Sequence, residues 1–534
     1  MKNLFLYFLI FPLLAVNCSN KNPVPAAPEE TKIEFVAATQ NAEYTGKGNK
    51  NEVILRVVVN VKGTVAIDLK NIKMNMNGTT SVDDVESINI YSTSFTDIFD
   101  QQTLHNATLI GTAIPSTGEI SINTTGKLNV GNNYLWVTYN LKESAKEGNN
   151  VDASLVSMAT EKQTFPIQNG NPTGARNILL KRVLVFKPGD FGSTNYRIPA
   201  IVTAADGALV ILTDKRKYNS TDLPEDIDIV ARRSTDGGKT WSDPVTTVAL
   251  GTGKGKGFGD AVVMKAKSGK LIALFVGGQG LNASTPSNPI RSYVSTSYDN
   301  GLTWSAPMDI TNQIFGSGCT DDTRKKWYAS FFGSGQGLCL RSGRLMVVAA
   351  IREISGGRLN NYAIYSDDEG KTWKVSERAI IGGDEAKVVE LNNGDILMSS
   401  RTSGNRLWAK STDGGINWGT KNSWTEIWGN ACDADIVRYT STKDGYNKDR
   451  LLHTLPNASN RTNVSMWISY DEGTTWPLKK TLCEGTSAYS SITILPDGTI
   501  GVYLEQDESV PYKMYYLNFS LEWLTDGKDK YIPL

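Results

Sequence analysis

Histidine, the side chain most often used for acid–base catalysis, is nearly absent from this chain of 534 residues. His105 and His453 are its only two copies, and they lie far apart. Four cysteines beyond the N-terminal segment are equally dispersed, with no C-x-x-C pair: Cys319, Cys339, Cys432 and Cys483. These patterns argue against a His-based triad, a multi-His metal site and a zinc site.

Carboxylates crowd one stretch of the sequence. The segment TDKRKYNSTDLPEDIDIV (213–230) contains Asp222, Asp226 and Asp228. Over the whole chain, Lys plus Arg and Asp plus Glu balance at 55 each, which argues against a nucleic-acid or anionic-membrane partner. An anionic ligand would therefore have to be met by a local cluster of cations.

Five copies of a Ser-x-Asp-x-Gly-x-Thr-Trp pattern indicate the elements that would position such a cluster. They read STDGGKTW, SYDNGLTW, SDDEGKTW, STDGGINW and SYDEGTTW, with aspartates at 236, 299, 368, 413 and 471. Intervals of 45 to 69 residues are typical of four-stranded units arranged radially. At roughly 60 residues per unit, residues 177–534 predict a six-bladed β-propeller with one blade lacking the pattern.

The composition of the repeat indicates a folding role. Glycine permits the positive φ of a tight turn, and Asp and Ser side chains hydrogen-bond the backbone of the loop. Tryptophan fills the space between blades. Asn417 replaces Thr in the fourth copy. The repeat therefore predicts the frame of the protein rather than its site.

The N-terminal part predicts a separate small domain. Short alternating segments such as NEVILRVVVNVKG and NNYLWVTYNLKE, separated by Gly and Asn turns, indicate a β-sandwich over 32–164. Residues 165–176 are predicted to be a linker. The predicted class is all-β, and the small domain is expected either to bind carbohydrate or to act as a spacer.

The N-terminus indicates export. Lysine and about thirteen apolar residues lead to Cys18, which is too short a run for an ordinary membrane-spanning helix. Residues 1–18 resemble a bacterial lipoprotein signal with Cys18 as the lipidated residue, although Asn17 departs from the usual small residue. Residues 19–31 would be a tether. We expect a periplasmic or cell-surface lipoprotein, with simple secretion as the alternative. One disulfide or buried free thiols are both open for the remaining cysteines.

Segments between the repeats carry a resemblance to a known family. The repeats are the Asp boxes prominent in sialidases (neuraminidases), and NYRIPAIV resembles the Arg-Ile-Pro motif of those enzymes. GDEAKVVELNNGDILMSSR resembles their Glu-bearing strand pair, while NASNRTNVSMWISYDEGTTW and GTSAYSSITILPDGTIGVYLEQ match the segments that follow. Over about 177–534, in the expected order, the chain is similar to bacterial exo-sialidases of glycoside hydrolase family 33.

The resemblance implies a carboxylate clamp. Arg197, Arg401 and Arg461 would hold the substrate carboxylate, for which the planar guanidinium is well suited. Glu505 would orient Arg197. Arg216 and Asp260 resemble the pair that reads the 4-hydroxyl of the sugar.

The resemblance also implies a catalytic set. Tyr489 would be the nucleophile, a neutral group that the substrate carboxylate does not repel, with Glu385 as its base and Glu390 as the competing residue. Asp222 would be the general acid and base, with Asp226 as the alternative. Asp228 falls in a strand and is expected to be structural.

The implied function is that of an exported exo-α-sialidase. It would hydrolyse terminal sialic acid from sialoglycans with retention, as a monomer, without metal or cofactor. Trans-sialidase and intramolecular trans-sialidase reactions are variants of the same chemistry. A propeller lectin that binds sialoglycans without cleaving them is the alternative from another class.

Overall fold

Strands form most of the regular structure in this protein. The computed structural model describes residues 30–101, 103–243, 245–507 and 512–534, and the expected all-β class is confirmed there. The expected signal segment, Cys18 and most of the tether lie outside the described residues. In the described ranges, no helix has the length and apolar character needed to cross a membrane.

The first fourteen strands build the N-terminal unit. Their bounds are β1 Lys32–Gln40, β2 Thr45–Gly46, β3 Glu52–Lys62, β4 Ile67–Asp68, β5 Asn71–Asn75, β6 Val85–Ser94, β7 Thr108–Ala113, β8 Glu119–Asn123, β9 Lys127–Leu128, β10 Gly131–Leu141, β11 Asn150–Val151, β12 Ser154–Ala159, β13 Thr164–Pro166 and β14 Arg176–Leu179. One sheet has the order β1-β3-β10-β6-β7, and a second has the order β13-β12-β5-β8. Alternate residues of both sheets, such as Val57, Val59, Ile72 and Met74, share one buried core.

Strand residues occupy part of the expected linker. β13 pairs with β12, and β14 pairs with β11 and in parallel with β2. The pairing satisfies backbone groups that the short edge strands would otherwise expose. Only Leu180 and Lys181 then separate β14 from the next strand. The domain boundary itself stays a prediction.

The remaining strands build the larger unit. Their bounds are β15 Arg182–Phe186, β16 Asn195–Thr203, β17 Leu209–Arg216, β18 Ile227–Ser234, β19 Thr246–Ala249, β20 Phe258–Lys265, β21 Leu271–Gly277, β22 Arg291–Ser297, β23 Met308–Asp309, β24 Ala329–Phe332, β25 Gly335–Gln336, β26 Leu338–Cys339, β27 Leu345–Arg352, β28 Leu359–Ser366, β29 Lys374–Ile381, β30 Ala386–Glu390, β31 Ile396–Ser400, β32 Gly404–Ser411, β33 Asn422–Gly429, β34 Ile436–Thr440, β35 Arg450–Pro456, β36 Thr462–Ser469, β37 Leu478–Ile494, β38 Ile500–Gln506 and β39 Lys513–Phe519. Helical segments are short: α1 Thr311–Ile314, α2 Leu521–Leu524, and 3₁₀ turns at Val82–Asp84, Asp190–Gly192, Arg324–Lys326 and Thr442–Asp444.

Sheets of neighbouring strands follow one another along this unit. Their orders are β16-β17-β18-β19, β23-β22-β21-β20-β25, β24-β27-β28-β29, β30-β31-β32-β33 and β15-β39-β38-β37-β36-β35-β34. The 17-residue β37 joins two four-stranded sets in the last sheet, and β15 pairs with β39, which ties the start of the unit to its end. The number of blades stays a prediction.

Each Asp box forms a hydrogen-bonded turn after a strand. In the first box, Ser234 Oγ donates to Asp236 Oδ1 at 2.7 Å, and Thr240 Oγ1 donates to Asp236 Oδ2 at 2.6 Å. In the fourth, Asn417 Nδ2 donates to Asp413 Oδ2 at 2.8 Å. The carboxamide therefore replaces the missing threonine hydroxyl and preserves the turn.

Tryptophans of the boxes pack between sheets. Trp476 is 3% exposed and shares a core with Leu397 of β31 and Leu451 of β35. Among the described residues, Cys319, Cys432 and Cys483 are free and buried, as the thiol alternative expects, whereas Cys339 is free but only half-buried.

Candidate active site

First strands of neighbouring sheets bring the site residues to one end of the larger unit. Arg197 lies on β16, Asp260 on β20, Glu385 directly before β30 and Tyr489 within β37. β16 packs against both β20 and β37, and β30 packs against β34 in the next set. Residues far apart in sequence therefore meet where these strands begin or bend.

Backbone irregularities occur at these positions. Pairing registers shift between Arg197 and Ala200, between Gly259 and Val262, and between Ser487 and Ser490. Bulges of this kind re-aim side chains near active sites. In two of them a residue other than glycine has a positive φ, 65° at Ile198 and 57° at Asp260. Such strain persists only where the surroundings enforce it.

Tyr489 and Glu385 form the centre of the site. Tyr489 Oη donates to Glu385 Oε1 at 2.7 Å and lies 2.9 Å from Oε2. Arg401 Nη1 donates to Tyr489 Oη at 2.9 Å and also hydrogen-bonds to Glu385 Oε2. Burial, followed by the charge of Glu385, raises the pKa of Tyr489 well above its usual value. Tyr489 is therefore a neutral phenol in contact with a base and a cation.

Arg197 is held by a buried carboxylate. Its Nε and Nη2 donate to the two oxygens of Glu505 at 2.9 and 3.0 Å. Backbone N–H groups of Ile198 and Tyr489 donate to the same carboxylate at 3.0 and 3.3 Å. With four donors, Glu505 neutralises Arg197 and connects it to the strand that carries Tyr489.

Arg461 completes a group of three arginines around Tyr489. It lies in the loop before β36, and its guanidinium carbon is 5.2 Å from the centroid of the Tyr489 ring. The guanidinium carbon of Arg197 is 5.3 Å from the same ring. Among the described residues, Arg461 forms no ion pair, whereas Arg401 pairs with Asp384 and Glu385. One guanidinium is thus left available to an anion.

A second acidic and basic group lies beside the first. Arg216 Nη2 is 2.7 Å from Asp222 Oδ1 and 3.1 Å from Asp214 Oδ2. Asp214 lies opposite Arg197 in the β16–β17 pairing, and its Oδ1 accepts from the backbone N–H of Asp260 at 3.2 Å. Burial raises the pKa of Asp260 well above its usual value, reinforced by the charges of Asp214 and Asp222. The predicted residues Arg216, Asp222 and Asp260 thus gather around a buried aspartate.

The competing carboxylates lie elsewhere. Asp222 has a side chain that is 76% exposed and contacts Arg216. Asp226 and Asp228 are each 2.9 Å from Lys217 Nζ, and Asp228 also accepts from the Gly251 N–H at 2.8 Å. The ion pair with Lys217 engages Asp226, the alternative acid. The contacts with Lys217 and Gly251 give Asp228 a structural role. Glu390, the competitor of Glu385, accepts from the backbone N–H of Arg341 instead.

Sequence reasoning missed two residues of the site, Asp214 and Tyr512. Asp214 is 1% exposed and bridges Arg216 to Asp260, and only its spacing of two residues from Arg216 could have indicated it. Tyr512 is 3% exposed, and its ring lies 5.2 Å from the guanidinium carbon of Arg197. Its side chain also makes a polar contact with Arg461. Nothing in the local sequence distinguishes Tyr512 from a core tyrosine.

The three arginines could bind a carboxylate next to Tyr489, a neutral phenol whose hydroxyl contacts the potential base Glu385. In the described ranges, no group of three or more His, Cys, Asp or Glu side chains is arranged to hold a metal ion. The side chains that the structure brings together are three arginines, a phenol, a carboxylate in contact with it and a separate carboxylic acid on a loop.

Similarity to known proteins agrees with this arrangement. Residues 219–502, more than half of the chain, match the BNR repeat-like domain, and residues 44–164 match the N-terminal domain of BNR-repeat neuraminidase. The chain is 30% identical over 403 residues to a sialidase of Bacteroides fragilis, covering 71% of this chain and 72% of that protein. It is 35% identical over 357 residues to a sialidase of Micromonospora viridifaciens, covering 63% of this chain and 53%, about half, of that protein.

A solved structure shows the same fold. Hadza microbial sialidase Hz136 superimposes with a TM-score of 0.62 at 23% identity, over 91% of this chain and 99% of that one. Together with the five Asp boxes and the site motifs, these matches show that the chain belongs to the bacterial exo-sialidases (neuraminidases) of the glycoside hydrolase family 33 type, with Asp-box or BNR repeats.

Proposed function

We propose that this protein is an exo-α-sialidase that hydrolyses terminal sialic acid from glycoproteins, glycolipids and oligosaccharides, with retention through a tyrosyl intermediate. The observation that carries the proposal is the contact between Tyr489 Oη and Glu385 inside a group of three arginines. A binding protein needs the arginines but has no use for a phenol paired with a base.

Each chemical step has a residue to perform it. Arg197, Arg401 and Arg461 bind the carboxylate on the anomeric carbon. Tyr489 Oη forms a bond to that carbon while Glu385 takes its proton, and Arg401 stabilises the charge that develops on the oxygen. As the glycosidic bond breaks, the leaving oxygen takes a proton.

Asp222 is proposed to supply that proton. It then takes a proton from the water that attacks the anomeric carbon, and Tyr489 leaves and recovers its proton from Glu385. Two displacements on the same carbon retain its configuration. Arg216 is proposed to orient Asp222 and, with Asp260, to bind the 4-hydroxyl of the sugar. Glu505 is proposed to orient Arg197.

The larger unit is proposed to be a six-bladed propeller. The four sheets of four or five strands and the two sets joined by β37 make six units, with β15 closing the last one. Export as a lipoprotein through Cys18, and action as a monomer, are proposed on the sequence alone.

An NMR time course of the purified protein with sialyllactose tests the proposed function. Early release of the α-anomer of sialic acid supports retaining hydrolysis. An anhydro sugar or a sialylated acceptor would replace hydrolysis with intramolecular or intermolecular transfer. Binding of sialyllactose without any product would assign the protein to the lectins.

A further inference from the structure

A crevice of about 450 Å³ lies where the N-terminal unit meets the larger unit. The chain crosses this junction in two residues, between β14 and β15, and Arg182 is the first residue after the crossing. Residues of both units line the crevice, among them Tyr44 and Phe99 from one side and Lys239 and Tyr515 from the other. Its volume is that of an ordinary small-molecule site.

Cations outnumber carboxylates in the lining. Seven basic residues face two acidic ones, Glu43 and Glu52. Four of the basic residues have carboxylate partners: Arg176 with Glu52, Lys513 with Glu43, Lys50 with Glu86, and Lys181 with Glu143. The remaining three form no ion pair in the part of the chain that the structure describes: Arg182, Lys187 and Lys239. The crevice therefore holds an excess of positive charge.

Arg182 is the buried member of the three. It is 2% exposed, its Nη1 donates to Gln506 Oε1, and its Nε donates to the Leu180 carbonyl at 3.3 Å. Its Nη2 is buried and has no hydrogen-bond partner among the described residues. Asp507 does not pair with it, and accepts from the Tyr515 hydroxyl at 2.8 Å instead. Arg182 therefore contributes a buried positive charge without an ion-pair partner beside the crevice, which an anion bound in the crevice would offset.

Aromatic and amide groups define the rest of the ligand. The lining contains Tyr44, which is half-buried, the edges of Phe99 and Tyr515, which are each 8% exposed, and the amide side chains of Asn41, Asn49 and Gln101. Aromatic faces beside a few placed polar groups fit a sugar ring better than a bare inorganic ion.

We propose that this crevice is a second binding site, separate from the residues around Tyr489, for a carboxylated sugar of monosaccharide size. The carboxylate would bind the Nζ groups of Lys187 and Lys239 at the entrance, beside the unpaired positive charge of Arg182, and the sugar ring would lie against Tyr44. The inference rests on the charges and the shape of the crevice and does not depend on the proposed hydrolysis.

Titration calorimetry with free sialic acid tests the site in three proteins. Wild type should bind two equivalents of sialic acid, one at the arginines around Tyr489 and one in the crevice. Arg401→Ala, which lacks one of those arginines, should bind only the equivalent in the crevice. The double variant Lys187→Glu, Lys239→Glu in the Arg401→Ala background should bind about tenfold more weakly or worse, because the favourable charges are reversed. Lys239 is exposed and Lys187 is half-buried, and neither belongs to the buried core, so these changes should leave the core intact.

The controls separate the outcomes. Lactose should not bind to Arg401→Ala, and inorganic sulfate should compete only weakly with sialic acid. The proposal is overturned if Arg401→Ala binds no sialic acid, if the lysine changes leave its affinity unaltered, or if sulfate binds as tightly as the sugar. Hydrolysis of sialyllactose by the protein carrying only the lysine changes should equal that of wild type. If wild type does not hydrolyse sialyllactose but Arg401→Ala still binds one equivalent of sialic acid, the proposed function is contradicted and the binding site in the crevice is supported.

Discussion

Both carboxylate oxygens of Glu505 accept hydrogen bonds from Arg197, at 2.9 and 3.0 Å. Glu505 is fully buried on β38, and Arg197 has a side chain that is 12% exposed. Because the backbone N–H of Tyr489 donates to the same carboxylate, one side chain fixes both an arm of the clamp and the strand of the proposed nucleophile.

Removing the charge of Glu505 should affect stability and substrate binding together. We expect Glu505→Gln to lower the free energy of unfolding by about 3–5 kcal/mol, because Arg197 is left buried without its counter-charge. KM should rise more than kcat falls. Urea unfolding and initial rates measure both. Glu472→Gln, which breaks the Arg438–Glu472 pair outside the site, should leave KM unchanged. An unaltered KM in Glu505→Gln would show that Arg197 does not need this partner.

Tyr489→Phe should remove nearly all turnover from a folded protein. Loss of the nucleophilic oxygen should lower kcat by about 10³-fold or more. Tyr439→Phe is the matched control, since Tyr439 lies on β34 and its hydroxyl donates to the Gly498 carbonyl at 2.7 Å, outside the group around Tyr489. Circular dichroism and rates with sialyllactose give the comparison. Hydrolysis by Tyr489→Phe at the rate of the control would remove Tyr489 from the mechanism.

Tyr512→Phe should weaken substrate binding rather than chemistry. The change keeps the ring over Arg197 and removes the hydroxyl contact with Arg461, so the clamp should lose part of its geometry. We expect KM to rise about 3- to 10-fold with kcat nearly unchanged. Tyr196→Phe, which loses a bond to the Asp190 carbonyl, serves as control. Equal KM values in the two variants would mean that Tyr512 only fills space.

Asp222→Asn should make turnover depend on the leaving group. Without a general acid, hydrolysis of sialyllactose should fall by about 10²–10⁴-fold. An aryl sialoside whose phenol leaves without protonation should be affected far less in its first step. Asp226→Asn, which disturbs only the ion pair with Lys217, should behave like wild type with both substrates. A loss of sialyllactose hydrolysis in Asp226→Asn, with Asp222→Asn behaving like wild type, would assign the acid role to Asp226 instead.

The buried Asp435 should make stability depend on pH. Burial, opposed by the charge of Lys387, raises its pKa to about 7, and its Oδ2 accepts hydrogen bonds from the Ile492 N–H at 2.8 Å and from Ser491 Oγ at 3.2 Å. Because the folded pKa is raised, its contribution to stability is present below the unfolded pKa of about 4 and is lost as pH rises through 7. Wild type should lose a few kcal/mol of unfolding free energy across this range relative to Asp435→Asn.

Urea unfolding of both proteins at pH 4, 5, 6 and 8 measures this difference. Asparagine keeps an acceptor for the Ile492 N–H and does not titrate, so the gap between the two curves should track one ionisation. A gap that stays constant from pH 4 to pH 8 would place the titration elsewhere, for example at the neighbouring Asp433.

The sequence allowed the site to be predicted wherever a motif fixed the strand on which a residue lies. Arg197, Glu385, Arg401 and Tyr489 each stand in a segment of recognisable order, and the structure brings them within contact of one another. Asp222 could be distinguished from Asp226 only by spacing, and the ion pair that occupies Asp226 appears only in three dimensions.

Residues that join the site only because the backbone is irregular there could not be predicted from the sequence. Asp214 bridges Arg216 to Asp260 because a bulge after Gly259 turns the backbone N–H of Asp260 towards it. Tyr512 directly precedes β39, which pairs with the strand β38 that carries Glu505, and its ring lies against Arg197. The strand residues at the two ends of the expected linker have a similar origin, since β13 pairs with β12 and β14 completes a sheet with two strands of two residues each.

The most direct measurement of the central claim is covalent trapping. Incubation with 2,3-difluorosialic acid, digestion and mass spectrometry should locate a sialyl adduct on Tyr489, and the adduct should be absent from Tyr489→Phe. An adduct on Glu385 or another carboxylate, or turnover of sialyllactose with no adduct on any residue, would contradict a mechanism through the tyrosyl intermediate.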